Sequence, residues 1–185
     1  GIKLSTVYSN EPPVQISTQL YGRYNFPNIM AAIALGRYFK IHDKHIIKAI
    51  EGYIPANSRS QQLITGNNHL FLDAYNANPV SMSEALRSFH HYGAENPWVI
   101  LGDMFELGSS AEKEHQHIVD LIGQLKFKNV ILIGKHFLGF KSNRYLFFET
   151  TGETLAYLKE NPVRQANILI KGSRGMKLEQ LIPVL

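Results

Sequence analysis

Three short polar segments carry most of the side chains with chemistry to offer, and each follows a run of apolar residues. Asp73-Ala74-Tyr75-Asn76-Ala77-Asn78-Pro79 follows Leu70-Phe71-Leu72. Gly102-Asp103-Met104-Phe105-Glu106-Leu107-Gly108 follows Trp98-Val99-Ile100-Leu101, and Lys171-Gly172-Ser173-Arg174-Gly175 follows Asn167-Ile168-Leu169-Ile170. Lys171, Ser173 and Arg174, set between glycines, combine charged and hydroxyl donors with an accessible backbone, which suits a carboxylate or a phosphate. Asp, Asn and Gly also fill loops for conformational reasons alone, so any one segment reads equally well as a turn. Three of them at the ends of apolar runs favour an anionic ligand.

The rest of the sequence narrows the chemistry. No Gly-x-x-x-x-Gly-Lys-Ser/Thr stretch occurs, so this chain does not cradle a triphosphate by a P-loop, and no Gly-x-Gly-x-x-Gly follows an apolar run. There are no cysteines, which excludes disulfides and thiolate metal sites and fits a reducing compartment, the cytoplasm by default. His115 and His117 are two apart, so on a helix they face different ways and shared metal ligation is not expected. A solvated face is expected there, with His117 the nearer of the two to a loop. The pair His90 and His91 gives no better metal site, and no metal ligand or catalytic nucleophile is assigned. The formal charge of +4 favours anionic partners, but the basic residues are scattered rather than interleaved with aromatics. Phosphorylated small molecules are therefore expected, not nucleic acid. No stretch is apolar for long enough to span a membrane and no secretory leader is recognisable. The chain opens on Gly1 rather than Met, which suggests a piece of something longer.

Placing these segments requires a scaffold. Residues 14 to 20 alternate apolar and polar and predict a strand. Pro27 opens a helix through Phe39, and Asp43 caps a second that presents Ile46, Ile47, Ile50 and Tyr53. Together they form a strand and two helices with no sheet to close on. The periodicity breaks at Pro55-Ala56-Asn57-Ser58, the expected domain boundary. A hairpin is predicted over residues 63–72, and helices then alternate with apolar strands at 98–101, 130–133, 145–148 and 167–170. Helices are predicted over residues 79–91, 110–125 and 151–159, opening with the capping-box spacings of Ser81 with Glu84, Ser109 with Glu112, and Thr150 with Glu153, and a short helix closes the chain. Apolar strands alternating with helices predict an α/β fold: a Rossmann-like, mostly parallel sheet with helices on both faces. Ligands bind such sheets at the carboxyl ends of the strands, where the three polar segments lie.

At these residues the sequence resembles the Mur ligase family. The segments that carry the resemblance are Gly22-Arg23-Tyr24-Asn25-Phe26-Pro27-Asn28 with Ala31-Ala32, then Arg59, then Asp73 through Pro79 with Ser81-Met82, then Gly102 through Gly108, and Lys171 through Met176. Their order matches too, and they extend over nearly the whole chain. The family has three domains, so the resemblance implies that residues 1–56 end the central ATP-binding domain and residues 57–185 form the complete third domain. The phosphate loop, the Mg2+ ligands and a carbamylated lysine would lie upstream, and this chain alone would be inactive. The implied reaction is ATP-dependent amide formation between UDP-N-acetylmuramoyl-tripeptide and D-alanyl-D-alanine, through an acyl phosphate.

By resemblance, Asn25 and Asn28 approach adenine, Arg59 lies near phosphate, Asp73 near the ribose hydroxyls, and Tyr75 and Asn76 line the same cleft. Asp103, Glu106, Lys171, Ser173 and Arg174 would border the peptide sites. The sequence departs from the family at Tyr24, where many members have His. Alternatives are a relative that adds a single amino acid, which the missing Asp-Asn-Pro-Arg signature disfavours, a folylpolyglutamate synthase, or a non-catalytic nucleotide-binding module.

Overall fold

The computed structural model describes residues 3–8 and 11–185. Two antiparallel strands, β1 (Lys3–Tyr8) and β2 (Glu11–Ser17), precede helices α1 (Phe26–Tyr38) and α2 (Asp43–Gly52). Strands β3 (Gln61–Thr65) and β4 (Asn68–Asp73) then form the hairpin expected at Gly66-Asn67. Beyond it come α3 (Pro79–Tyr92), β5 (Pro97–Gly102), α4 (Ala111–Gln124), β6 (Asn129–Ile133), α5 (Lys135–Leu138), β7 (Leu146–Phe148), α6 (Thr151–Glu160) and β8 (Asn167–Lys171). The six-stranded sheet has the order β3-β4-β8-β5-β6-β7, and every pairing except the β3–β4 hairpin is parallel.

The central strands are apolar at nearly every position because both of their faces are covered. Phe71, Leu101, Leu132 and Leu169 pack with Met82, Leu86 and Phe89 of α3 and Ile118, Leu121 and Ile122 of α4. Their strand neighbours Leu72, Ile100, Ile131 and Ile170 turn the other way, onto Leu158 of α6 and Leu178 and Leu181 of the closing segment. The amino-terminal elements share a much thinner core of Ile16, Ile29, Ile33 and Ile46. Around it, Leu35, Tyr38, Phe39 and Ile54 remain exposed.

Several local expectations shift. The opening residues add a strand to the predicted strand and two helices, giving a two-stranded sheet, and β2 ends at Ser17 rather than residue 20. Residues 1–2 and 9–10 lie outside the described residues. Helix α2 begins at Asp43, which is its first residue rather than its cap. Helix α3 is capped by Asn78, which accepts from Ser81 N while Ser81 Oγ accepts from Asn78 N; the box sits three residues before the expected one because Pro79 already occupies the first turn. A 3-10 turn, Gly108–Ser110, leads into α4, so Ser109 caps nothing. Thr150 does cap α6, by accepting from Glu153 N. The final helix is two 3-10 segments, Arg174–Met176 and Leu178–Val184, parted by Lys177 in the left-handed conformation, and Pro183 in the second has no N–H to donate. The four-residue α5 carried no periodicity long enough to read.

One buried amide ties the chain end to the sheet. Asn68 Nδ2 donates to Val163 O at 2.8 Å and to the carbonyl of Leu185, while its Oδ1 accepts from Ala166 N at 3.0 Å. Replacing it by alanine leaves these backbone groups buried without partners. Asn68→Ala is expected to lower the unfolding free energy by about 2–4 kcal/mol. In urea the midpoint should fall while the slope stays unchanged, and an unaltered midpoint would refute this account.

Candidate functional site

Because β4, β8 and β5 are adjacent and parallel, the three polar segments leave the sheet along one rim. Asp73 and Lys171 stand opposite each other in the β4–β8 register. Lys171 Nζ donates to Asp73 Oδ2 at 2.6 Å and to Asn76 O at 3.2 Å. The lysine side chain is 2% exposed and the aspartate side chain 14%. A cation buried this deeply persists only where it is paired and hydrogen-bonded.

The carboxylate of Asp73 is shared with the amino-terminal elements. It accepts from Ser60 N at 3.1 Å and from Tyr24 OH at 3.3 Å. Burial, and next the charge of Asp73, push the Tyr24 phenol well above the usual tyrosine range, so it stays a donor. Tyr21 anchors the same seam by inserting its ring against Phe71, with centroids 4.5 Å apart. Burial raises its pKa too.

Beside this seam lies a cavity of about 420 Å³, bordered by Leu20, Asn25, Asn28, Ile29, Ile50 and Arg59. Asn25 is buried and its amide is committed: Nδ2 donates to Tyr21 O at 2.7 Å and to Ser60 Oγ at 2.9 Å, and Oδ1 accepts from Asn28 Nδ2 at 3.2 Å. Asn28 is exposed and keeps its carbonyl oxygen and one N–H to offer. The pair can therefore present a donor and an acceptor side by side against flat apolar walls, which suits the edge of a heterocyclic base. A larger crevice, about 850 Å³, opens on the α3 side past Tyr21, Arg23, Glu84 and His91, but none of the sequence-predicted ligand residues borders it.

The remaining candidates divide into two groups. Lys171 and Ser173 were read as ligand donors, yet both are buried and bonded internally: Ser173 Oγ accepts from Phe105 N at 2.8 Å. Asp103 is likewise buried, and its carboxylate accepts from His136 N at 3.0 Å and Phe137 N at 3.1 Å, while its carbonyl accepts from Ser173 N at 3.1 Å. It clips together the segments that leave β5, β6 and β8. A Cβ on Gly134, where φ is 126°, would meet that carboxylate at 2.2 Å, so the close approach needs glycine. Asn76 turns its side chain back to accept from Ala77 N at 2.9 Å. Arg59, Glu106 and Arg174 are exposed on the rim, and Tyr75 is 40% exposed there.

The histidine expectation is corrected. His115 is fully buried rather than on a solvated face, and it is His115, not His117, that meets the adjacent loop. Its Nε2 accepts from Met104 N at 3.0 Å, and Nδ1 donates to Ala111 O at 2.7 Å. His115 continues the buried stripe of α4 formed by Ile118, Leu121 and Ile122. Burial pushes the His115 pKa down, Asp103 at 3.5 Å opposing only in part.

Two outcomes follow from these groups. Lys171→Met should cost about 3–5 kcal/mol by leaving Asp73 buried without its cation; chemical denaturation checks it, and a loss below about 1 kcal/mol would contradict a buried pair. For His115, the unfolded chain takes up a proton before the folded one does. Stability is thus complete above about pH 6.5 and falls as pH drops toward the depressed folded pKa. His115→Gln should flatten that part of the pH–stability curve, and a wild-type slope retained in the variant would argue against the assignment.

Comparison with known proteins agrees with this architecture. Residues 59–174 match the family described as Mur ligase, glutamate ligase domain. The UDP-N-acetylmuramoyl-tripeptide--D-alanyl-D-alanine ligase of Bacillus subtilis (strain 168) is 34% identical over 177 residues, 88% of this chain and 38% of that protein. The fold superposes on MurF from Acinetobacter baumannii with a TM-score of 0.83 at 23% identity, covering 98% of this chain and 41% of that one. It also superposes on MurF ligase from Thermotoga maritima in complex with ADP, with a TM-score of 0.77 at 14% identity, covering 98% and 44%. This chain thus spans about two fifths of the length of the relatives it matches. With the family profile covering the hairpin, the central sheet and the whole polar rim, the chain belongs to the Mur ligase family and contains its carboxyl-terminal domain.

Proposed function

We propose that this chain is the carboxyl-terminal part of a cytoplasmic, ATP-dependent ligase that joins D-alanyl-D-alanine to UDP-N-acetylmuramoyl-tripeptide in peptidoglycan precursor synthesis. The observation that carries the reading is the cavity bordered by Asn25, Asn28 and Arg59 at the seam. It supports an adenine site in which Asn28 meets the base and Asn25 holds Asn28 in place, with Arg59 at the mouth toward the phosphates. The 34% identity to a D-alanyl-D-alanine ligase and the likeness in fold to a MurF ligase in complex with ADP support the same choice.

Residues 1–56 are read as the end of a larger ATP-binding domain and 57–185 as the domain that closes over it. The thin core and the exposed Leu35, Tyr38 and Phe39 support that division, because apolar surface of this extent on so small a unit marks a face meant for another body. Mg2+ is assigned mainly to residues upstream. ATP supplies the phosphoryl group that turns a carboxylate into a reactive acyl phosphate, and the incoming amine displaces phosphate from it. Within this chain, Asp73, Lys171, Asp103 and Ser173 set the shape of the rim, and Glu106 faces the space where the peptides would lie.

A phosphate-release assay on the full-length protein, offering D-alanyl-D-alanine against single amino acids, tests the proposal. Turnover with the dipeptide alone is expected, and none from this chain in isolation; release only with a single amino acid would overturn it. Asn28→Ala in the full-length protein should raise KM for ATP about 3- to 10-fold through loss of one hydrogen bond, with kcat little changed. An unchanged KM would remove adenine from this cavity.

A further inference from the structure

The ring of Tyr75 gathers two cations from distant parts of the sequence. The guanidinium carbon of Arg59 lies 3.6 Å from the ring centroid and that of Arg174 lies 5.8 Å from it. Arg59 comes from the segment entering β3, Tyr75 from the segment leaving β4, and Arg174 from the segment leaving β8. The Tyr75 backbone is pinned by its N–H donating to Ser58 O at 3.2 Å, so the ring stands at a fixed place on the rim. All three side chains reach solvent.

Two guanidinium groups repel each other, and an aromatic face offsets only part of that repulsion. One carboxylate relieves part of it. Arg174 Nη1 lies 3.9 Å from Glu179, too far for a hydrogen bond, and Arg59 enters none of the ion pairs among the described residues. Asp73, the nearest acidic group on the rim by sequence, is already neutralised by Lys171. Two cations thus share one nearby carboxylate, that of Glu179, and Arg59 also borders the 420 Å³ cavity.

We infer that Tyr75 is a positioning residue that holds Arg59 and Arg174 as a joint clamp for a polyphosphate. Arg174 thereby serves the nucleotide's phosphate chain rather than a peptide carboxylate. A lone carboxylate is satisfied by one bidentate guanidinium, whereas two guanidiniums spaced along a ring suit a chain of anionic groups. The inference rests on the nucleotide reading only for the identity of the anion.

The test uses this chain with inorganic tripolyphosphate, followed through the Nε–H NMR signals of Arg59 and Arg174. Both signals should move together with one dissociation constant. Tyr75→Leu should weaken binding about 3- to 10-fold, the scale of a cation–π contact, while Tyr75→Phe, which keeps the ring, stays within about twofold of wild type. Movement of one arginine alone, no response to tripolyphosphate, or equal affinities for the Leu and Phe variants would overturn the clamp. Adenosine, followed at the Asn28 side-chain amide, tests the adenine site separately. If adenosine has no effect while tripolyphosphate binds, the clamp stands and the adenine assignment falls.

Discussion

The ion pair between Lys171 and Asp73 is the contact on which the rest of the rim depends. Hiding an ammonium group almost completely from water costs several kcal/mol, and it holds here because every nearby group joins the arrangement. Asn76 O takes a second lysine proton, and Ser60 N and Tyr24 OH supply the carboxylate with further donors. The same aspartate therefore does two jobs. It fixes the ends of two adjacent strands, and it is the point at which the amino-terminal elements grip the α/β body.

That economy divides the polar residues by role rather than by type. Asp103, Ser173 and Lys171 have the chemistry of ligand groups, but their bonds are spent within the protein. Arg59, Tyr75, Glu106 and Arg174 stand in front of them. Placing the buried set behind the exposed set gives the rim a rigid backing, so the outer side chains are presented from fixed backbone positions instead of from free loops.

The layered sheet was readable from the sequence because its signal is long-range and redundant. Four continuous apolar strands separated by amphipathic helices admit few other folds. The convergence of the polar segments followed from the same rule, since parallel strands send their carboxyl ends one way. What escaped the reading depended on local geometry that side-chain type does not reveal. Ser81 and Ser109 both had capping spacing, but Asn78 supplies the cap in one case and a 3-10 turn precedes the helix in the other. His115 is different: it looked solvent-facing beside Glu112 and Glu114, yet it continues the buried stripe of Ile118, Leu121 and Ile122, a spacing that could have placed it inside. Likewise, nothing in Lys-Gly-Ser-Arg-Gly distinguishes a lysine that meets a ligand from one that meets Asp73. The deciding fact is strand adjacency across 98 residues of sequence.

The glycines between these strand ends limit how the rim can change. A Cβ on Gly172 would stand 3.0 Å from Gly102 Cα, and one on Gly102 would stand 3.0 Å from the side chain of Met176. At Gly172 the neighbour is main chain, which yields less readily than a side chain. Substitution at the centre of the rim is therefore costly. Variation meets least resistance at the margins, in exposed residues such as Tyr75, Phe105, Glu106 and Arg174, while the middle stays bare.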